Sequence, residues 1–369
     1  MKQLLFCFFL GVCGNLLCGN LLYGQSPLKT ENVFLITLDG LRWQEVFSGA
    51  DPDLISNKEY VSDTTALKQL FWKNDPVSRR EVLMPFFWEV IARQGQLYGN
   101  RPEGSSVNVT NPYWFSYPGY NEILTGLADP GVNSNDKIPN PNKTVLEFVN
   151  HQPDFKGKVA AFASWDVFPS IINEQRSGVP VNAGFDTASA RALTERERFL
   201  NRLQPEIPSP WSSVRLDAFT HHYALEYLKK NRPSLLYIAY GETDDFAHGG
   251  DYDEYLKSAR RTDEFIRELW EWAQQHKQYR GKTTFIITTD HGRGTQPLAT
   301  WKSHGDGIKG ADEIWIAVLG PDTPAMHGTP VKGQFYQNQV AKTVSEFLGL
   351  EYEGEKGTGA ALKEAFGNQ

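Results

Sequence analysis

The chain has 369 residues, of which 40% are hydrophobic and 13% aromatic, and this excludes an intrinsically disordered protein. Its formal net charge of −7 argues against a nucleic-acid-binding protein, which ordinarily has a basic surface. The length fits one large α/β domain with an inserted cap as well as it fits two domains.

Residues 1–24 read as a secretory signal peptide. Lys2 precedes an apolar stretch that closes with small and polar residues near Gly24. Repeated glycine and asparagine make the stretch a poor membrane-spanning helix, and no other segment is long and apolar enough to span a membrane. We therefore expect a periplasmic or secreted protein, with a lipoprotein as a minor alternative.

All three cysteines lie in this leader, at positions 7, 13 and 18. The mature chain, residues 25–369, would then have neither a disulfide nor a cysteine nucleophile. Any metal ion would have to be held by histidine and carboxylate side chains.

Five continuous apolar runs predict strands that are buried on both faces. They are residues 32–39, 158–164, 234–241, 283–290 and 313–320. Amphipathic patterns predict helices over residues 85–95, 143–150, 212–231, 252–276 and 334–350. This alternation predicts an α/β fold with a mostly parallel central sheet and helices on both faces.

Two polar segments, residues 48–83 and 165–212, fit this alternation poorly and show no strand of their own. We interpret both as insertions into a single catalytic domain, with a possible role as a cap over its site. Three further polar residues, His221, His222 and Asp263, lie within predicted helices and are interpreted as surface or packing residues.

Side chains that bind metals follow three of the predicted strands. Ligands bind at the carboxyl ends of strands in open parallel sheets. Each residue has a plain alternative explanation as a turn or a helix cap. However, burying an adjacent aspartate and histidine is costly unless something pairs with them. Together these residues predict a dinuclear centre of zinc or a similar ion, with the ligands Asp39, Asp244, His248, Asp290, His291 and His304.

The segment NPYWFSYPGYNEILTG places Ser116 at the predicted start of a short helix. Backbone N–H groups at a helix N-terminus are suited to anchoring a phosphate. A coordinated metal would also make the serine hydroxyl a nucleophile without a histidine base. In the absence of the metal ligands, Ser116 would be interpreted as a helix N-cap.

The ordered motifs TLDGLR, WFSYPGYNEILTG, ETDDFAHGG, TTDHGRG and KSHGD span residues 32–306. This set resembles the alkaline phosphatase superfamily, most closely its type I phosphodiesterase/nucleotide pyrophosphatase branch. The resemblance implies two divalent metal ions, with zinc expected. Asp39, Ser116, Asp290 and His291 would surround one ion, with Ser116 as the nucleophile. Asp244, His248 and His304 would hold the other ion, which activates the water that hydrolyses the phosphoenzyme.

The same resemblance implies an asparagine that contacts the phosphoryl oxygen, for which Asn135 is the first candidate and Asn133 the second. The chain departs from the branch after the nucleophile. It has S-Y-P-G-Y where the branch usually has T-F-P-N-H. Sulfatases of the superfamily have an arginine at the position of Tyr120.

The sequence thus predicts an exported metal-dependent hydrolase of small phosphate esters, of phosphodiesterase or nucleotide pyrophosphatase type. The alternatives are a phosphomonoesterase, a sulfatase and a non-catalytic protein that binds anions through metal. Arg42 and Arg293 lie beside predicted ligands, where they would be either substrate contacts or surface charges.

Overall fold

The computed structural model describes residues 28–367. The predicted signal peptide and the three cysteines lie outside this range. The described strands are β1 Asn32–Leu38, β2 Gln96–Tyr98, β3 Ser105–Asn108, β4 Val159–Ala163, β5 Val181–Ala183, β6 Leu235–Tyr240, β7 Thr283–Thr288, β8 Glu313–Ile314, β9 Ile316–Leu319 and β10 Gly333–Tyr336.

The helices of the described chain alternate with these strands. The α-helices are α1 Trp43–Ser48, α2 Thr64–Phe71, α3 Pro76–Leu83, α4 Ala92–Gln94, α5 Ser116–Thr125, α6 Val145–Asn150, α7 Phe168–Ile171, α8 Glu174–Ser177, α9 Glu195–Leu203, α10 Asp217–Asn231, α11 Glu242–Gly249, α12 Tyr252–Gln275 and α13 Val340–Phe347. A π-helix covers Phe87–Ile91, and single 3₁₀ turns cover Arg101–Glu103, Gln204–Glu206, Leu298–Lys302, Gln337–Gln339 and Lys363–Ala365.

A seven-stranded sheet in the order β2-β9-β7-β1-β6-β4-β5 forms the centre of the fold. The five strands from β7 to β5 are mutually parallel. Alternate residues of β1 enter two separate apolar cores. One core contains side chains of α1–α3, α10 and α12, and the other contains those of α5–α7 and α13. Helices therefore cover both faces, which confirms the predicted fold class.

The pairing register of β1 positions the site. Thr37 is paired with Ala239 of β6 on one side and with Thr288 of β7 on the other. Two residues further along each strand are Asp39, Gly241 and Asp290. The predicted ligands at the ends of β1 and β7 therefore lie level with the start of α11.

The predicted strand 313–320 is divided between two sheets. Residues 313–314 pair with β3 in a small three-stranded sheet, whereas β9 lies antiparallel to β7 in the main sheet. The division falls at Trp315, which is fully buried and donates its indole N–H to the carbonyl of Leu41 at 2.9 Å. A run of apolar residues does not reveal such a change of partner.

Two other expectations were wrong in detail. The segment 165–212 does contain a strand, since β5 pairs with β4 at the sheet edge. This strand has only three residues and is partly exposed, so it lacks a clear apolar pattern. The predicted helix 334–350 begins with β10, whose Phe335 packs on Tyr98 with ring centroids 4.8 Å apart. Pairing with β3 overrides helical periodicity there.

Two of the helix residues interpreted as surface or packing residues, Asp263 and His221, are buried and make packing contacts. Asp263 accepts hydrogen bonds from the backbone N–H groups of Phe86 and Phe87, both at 2.8 Å, and so caps the start of the π-helix. His221 is buried and stacks on Phe265 with ring centroids 4.2 Å apart. Within residues 28–367, no helix combines the length and the apolar character required to span a bilayer.

We predict that Asp263→Ala destabilises the fold, because two buried N–H groups lose their acceptor. Each unsatisfied buried donor costs about 1–3 kcal/mol, so the free energy of unfolding should fall by about 2–5 kcal/mol in urea denaturation. Glu264→Ala is the matched control, since its half-exposed carboxylate pairs with Arg260 at 3.1 Å. Such surface pairs contribute less than about 1 kcal/mol. Equal losses in the two variants would contradict the capping role.

Candidate metal centre

The structure brings the six predicted ligand residues together at the carboxyl ends of the sheet strands, in two groups. Asp39, Asp290 and His291, all buried, form the first ligand group. The second ligand group is Asp244, His248 and His304, and it is more exposed. Within each group the potential ligand atoms lie within 4.8 Å of one another. This division is the one that the sequence motifs predicted.

His291 is the centre of the first ligand group. Its Nε2 lies 3.4 Å from Asp39 Oδ1, from Asp290 Oδ2 and from Ser116 Oγ. Its Nδ1 lies 2.9 Å from the carbonyl of Gly292, which can only accept a hydrogen bond. Nδ1 therefore carries the proton of the neutral ring, and Nε2 presents a lone pair to the carboxylates. This tautomer is the one that binds metal.

The carboxylates of the first ligand group fit a cation. Asp39 Oδ1 and Asp290 Oδ2 are buried and have no hydrogen-bond partner among the described residues. Burial and the charge of Asp244 raise the pKa of Asp39, and burial and the charge of Asp39 raise the pKa of Asp290. A divalent ion between these oxygens would remove both the unmet hydrogen bonding and the mutual repulsion.

The second ligand group comes from two segments of the chain. Asp244 and His248 lie on α11, which follows β6, and His304 lies in the segment that follows β7. His248 Nε2 lies 3.2 Å from Asp244 Oδ2 and 2.9 Å from His304 Nε2. Burial lowers the pKa of His304 well below its usual range, so its imidazole is neutral, as a ligand requires. The rings of His304 and His291 stack with centroids 3.9 Å apart, so the two ligand groups are in direct contact.

Arg42 and Arg293 are both buried, so the expectation of surface charges is wrong for each. Arg42 pairs with buried Glu45 through a hydrogen bond of 2.9 Å. Arg293 donates to both the carbonyl and the carboxylate of Asp244. Burial alone would raise the pKa of Asp244, but Arg293, His248 and His304 together outweigh burial and hold this pKa well below its usual range.

Ser116 is the first residue of α5, and the chain turns sharply before it. Trp114 has a φ of +51°, a left-handed conformation that is strained for a bulky residue. The turn brings the chain into α5 with Ser116 Oγ facing His291. The sequence gives no sign of this conformation, because tryptophan does not favour it.

Glu122, a fully buried residue of α5, fixes the loop that precedes Ser116. Its Oε1 accepts hydrogen bonds from the backbone and hydroxyl of Thr110, and its Oε2 accepts from the backbone and amide of Asn111, at 2.8–2.9 Å. Asn111 Oδ1 accepts in turn from the backbone N–H groups of Tyr113 at 3.0 Å and Trp114 at 3.2 Å. Glu122 was missed in the sequence, where its only signal is an acidic residue within an apolar helix.

The structure explains both departures after the nucleophile. A Cβ atom at Gly119 would lie 2.3 Å from the carbonyl oxygen of Asp290, so α5 approaches the end of β7 too closely for a side chain. Tyr120 donates its hydroxyl to Asp39 Oδ2 at 2.8 Å. The S-Y-P-G-Y segment therefore contacts the ends of both β1 and β7.

Asn135 contacts the start of α5. Its Oδ1 accepts the backbone N–H of Tyr117 at 3.0 Å, next to the predicted nucleophile. Asn133, the second candidate, instead lines a small cavity beneath Tyr117. The contact with Tyr117 therefore favours Asn135 as the asparagine beside Ser116.

A third cluster, His221, His222 and Glu268, also brings potential ligand atoms close together. His221 Nε2 lies 2.8 Å from Glu268 and its Nδ1 lies 3.1 Å from the hydroxyl of Tyr240. The guanidinium of Arg196 lies 3.3 Å from His222 Nδ1. Hydrogen bonds satisfy the His221 ring, and a cation lies beside the His222 ring, so this cluster fits a packing role.

Comparison with known proteins gives one family match. The family model of type I phosphodiesterase/nucleotide pyrophosphatase matches residues 48–304. Ser116 and both members of the Asp290–His291 pair lie within the match, whereas Asp39 lies nine residues before it. A comparison with curated protein sequences gives no match.

Solved structures of similar fold include the alkaline phosphatase PafA, with a TM-score of 0.58, 10% identity and coverage of 93% of this chain and 100% of that chain. The phosphonate monoester hydrolase of Agrobacterium radiobacter has a TM-score of 0.56 and 12% identity, with 91% and 77% covered. The lipoteichoic acid synthase LtaP from Listeria monocytogenes has a TM-score of 0.57 and 10% identity, with 89% and 74% covered. At such identities the likeness establishes the fold alone.

We predict that Glu122→Gln destabilises the protein, because the new amide group would face hydrogen-bond donors of Thr110 or of Asn111. The amide would face either the buried donors of Asn111 or the part-buried donors of Thr110. Because the less costly orientation faces Thr110, the free energy of unfolding should fall by about 1–3 kcal/mol in urea denaturation. The control is Glu346→Gln, whose partly exposed carboxylate lies 3.6 Å from Lys363. If both variants unfold like the wild type, Glu122 does not fix the loop.

Proposed function

This chain belongs to the type I phosphodiesterase/nucleotide pyrophosphatase family of phosphoester hydrolases, and we propose that it is an exported phosphodiesterase or pyrophosphatase acting through Ser116. One observation carries the proposal. The hydroxyl of Ser116 and two carboxylate oxygens that have no hydrogen-bond partner among the described residues each lie 3.4 Å from Nε2 of His291.

Two divalent ions, with zinc as the expected ion, are part of the proposal. Asp39, Ser116, Asp290 and His291 would hold one ion, and Asp244, His248 and His304 would hold the other. The histidine and carboxylate donors, with no sulfur, suit zinc. When bound, such a pair of ions supplies positive charge that stabilises the attacking and leaving oxygens of an in-line displacement at phosphorus.

The residues of the chain would act in two steps. Ser116 Oγ forms a bond to phosphorus while the bond between phosphorus and the leaving oxygen breaks, and the serine proton passes through solvent to the departing oxygen. Water then attacks the phosphoserine, which releases the phosphate product and restores the hydroxyl. At the start of α5, the backbone N–H of Ser116 would bind a phosphoryl oxygen throughout. The N–H of Tyr117 already donates to Asn135, Pro118 has no N–H, and the N–H of Gly119 donates to the carbonyl of Phe115.

Asn135 would complete the phosphoryl site. Since its Oδ1 is held by the backbone N–H of Tyr117, its amide NH₂ group remains available as a donor beside Ser116. A donor whose position is fixed before the reaction stabilises developing charge without reorganisation. This role is the one that the sequence resemblance implies for Asn135.

A phosphomonoesterase is the second candidate. A monoester has more negative charge than a diester, so its site requires an additional cation. Lys137, two residues after Asn135, extends to Asp166 just beyond the end of β4, with 2.7 Å between amine and carboxylate. This lysine lies at the carboxyl ends of the strands, as Ser116 does, and its positive charge would favour a substrate with the additional negative charge of a monoester.

A sulfatase is less well supported, because Tyr120 replaces the arginine and its hydroxyl binds Asp39. A non-catalytic protein that binds anions would not require the serine hydroxyl to face the ligand groups, as it does here.

The domain organisation is proposed on the same basis. Residues 1–24 would be removed on export, and residues 25–369 would form one catalytic domain with insertions at 48–83 and 165–212. Trp211, at the end of the second insertion, packs on Phe246 with ring centroids 4.9 Å apart. Phe246 lies on α11 between two predicted ligands, so this insertion reaches the rim of the site.

We predict that zinc-loaded protein hydrolyses bis-p-nitrophenyl phosphate faster than p-nitrophenyl phosphate or p-nitrophenyl sulfate. Ser116→Ala should reduce kcat/KM for the diester at least about 1000-fold, because the group that forms the covalent bond is removed. Release of p-nitrophenol, measured for each substrate under the same conditions, provides the readout.

Ser56→Ala is the matched control, because Ser56 is an exposed serine in the first insertion, with its hydroxyl bonded to the carbonyl of Pro52. It should retain wild-type activity. Faster hydrolysis of the monoester or the sulfate would identify the protein as a phosphomonoesterase or a sulfatase instead, and Ser116 would remain the proposed nucleophile. Full diesterase activity in Ser116→Ala would refute the proposed nucleophile.

A further inference from the structure

The hydroxyl of Tyr120 binds one of the two oxygens of the Asp39 carboxylate and leaves the other free to bind a metal ion. Tyr120 is fully buried, and its hydroxyl donates to Asp39 Oδ2 at 2.8 Å. The other oxygen, Oδ1, has no hydrogen-bond partner among the described residues and lies 3.4 Å from His291 Nε2. One oxygen is therefore fixed by a phenol, and the other faces the first ligand group.

The ring of Tyr120 is held as firmly as its hydroxyl. It packs edge-on against Phe168 of α7 with ring centroids 4.7 Å apart. The preceding residue, Gly119, lies against the backbone of Asp290. The ring of Tyr120 and the residue before it are therefore both packed against neighbours, and this packing supports the direction of the hydrogen bond to Asp39.

Tyr120 also connects the predicted nucleophile with a predicted ligand. Ser116 and Tyr120 are four residues apart on α5, so their side chains lie on the same face of that helix. Ser116 faces His291, and Tyr120 binds Asp39 at the end of β1. The hydrogen bond therefore fixes α5 relative to the strand that carries the ligand.

We propose that Tyr120 is a positioning residue that holds Asp39 as a ligand through one oxygen and thereby sets the metal affinity of the first ligand group. It would do so without touching the substrate. Groups that hydrogen-bond to metal ligands commonly change metal affinity about 10- to 100-fold when removed. The inference rests on the proposed function in one respect, namely that the first ligand group binds a divalent ion.

The test is zinc binding by Tyr120→Phe, measured on the metal-stripped full-length mature chain by competition with a chromophoric chelator. The variant loses one hydroxyl and keeps the buried ring. We expect two zinc ions per chain in the wild type and about 10- to 100-fold weaker binding of one of them in the variant. In a His248→Ala background, which impairs the second ligand group, the remaining site should show the same loss.

Tyr279→Phe is the matched control. Tyr279 is also fully buried, and its hydroxyl donates to the carbonyl of Pro233 at 2.9 Å. Pro233 precedes β6, so this contact lies at the amino ends of the strands, away from both ligand groups. It should leave both zinc affinities unchanged. Circular dichroism of both variants in the metal-free state verifies that each is folded.

Four outcomes would overturn the inference. Unchanged zinc affinity in Tyr120→Phe, with two ions bound to the wild type, would overturn it alone. So would an equal loss at both sites or an equal loss in Tyr279→Phe, because these indicate a general effect on the fold. A wild-type chain that binds no divalent ion would overturn the two-metal part of the proposed function as well.

Discussion

The concentration of negative charge at the end of the central sheet is the constraint on which the site depends. The register of β1 with β6 and β7 brings Asp39 level with Asp290 and with the start of α11, which carries Asp244. Two like charges 4–5 Å apart repel by about 3–4 kcal/mol at an effective dielectric constant near 20. Arg293 offsets part of this repulsion at Asp244, whereas Asp39 and Asp290 keep buried oxygens without partners. A fold that gathers such groups requires a cation or protons there.

The surrounding structure holds Ser116, the proposed nucleophile, next to this charge. Glu122 and Asn111 fix the loop that precedes Ser116, and Gly119 allows α5 to approach the end of β7. The left-handed conformation of Trp114 is a cost to the stability of the protein alone. Such a cost is common at sites where geometry serves function. It gives an independent reason to regard the start of α5 as the reacting part of the molecule.

The central sheet and the meeting of the predicted ligand residues at the ends of its strands could be predicted from the sequence, because they depend on local patterns. Continuous apolar runs identify strands that are covered on both faces, and parallel strands place their carboxyl ends at one edge. The division at Trp315, the short β5 and the strand β10 could not be predicted, because each depends on a partner far away in sequence. Glu122 and Tyr120 escaped for the same reason. Their roles come from hydrogen bonds to residues whose proximity appears only after folding.

The most direct test of this account is an anomalous-scattering map of zinc-loaded crystals, recorded on both sides of the zinc absorption edge. The account predicts two zinc peaks per chain. One should lie among Asp39, Ser116, Asp290 and His291, and the other among Asp244, His248 and His304. A map without zinc at the first ligand group, or with Ser116 Oγ turned away from it, would contradict the account.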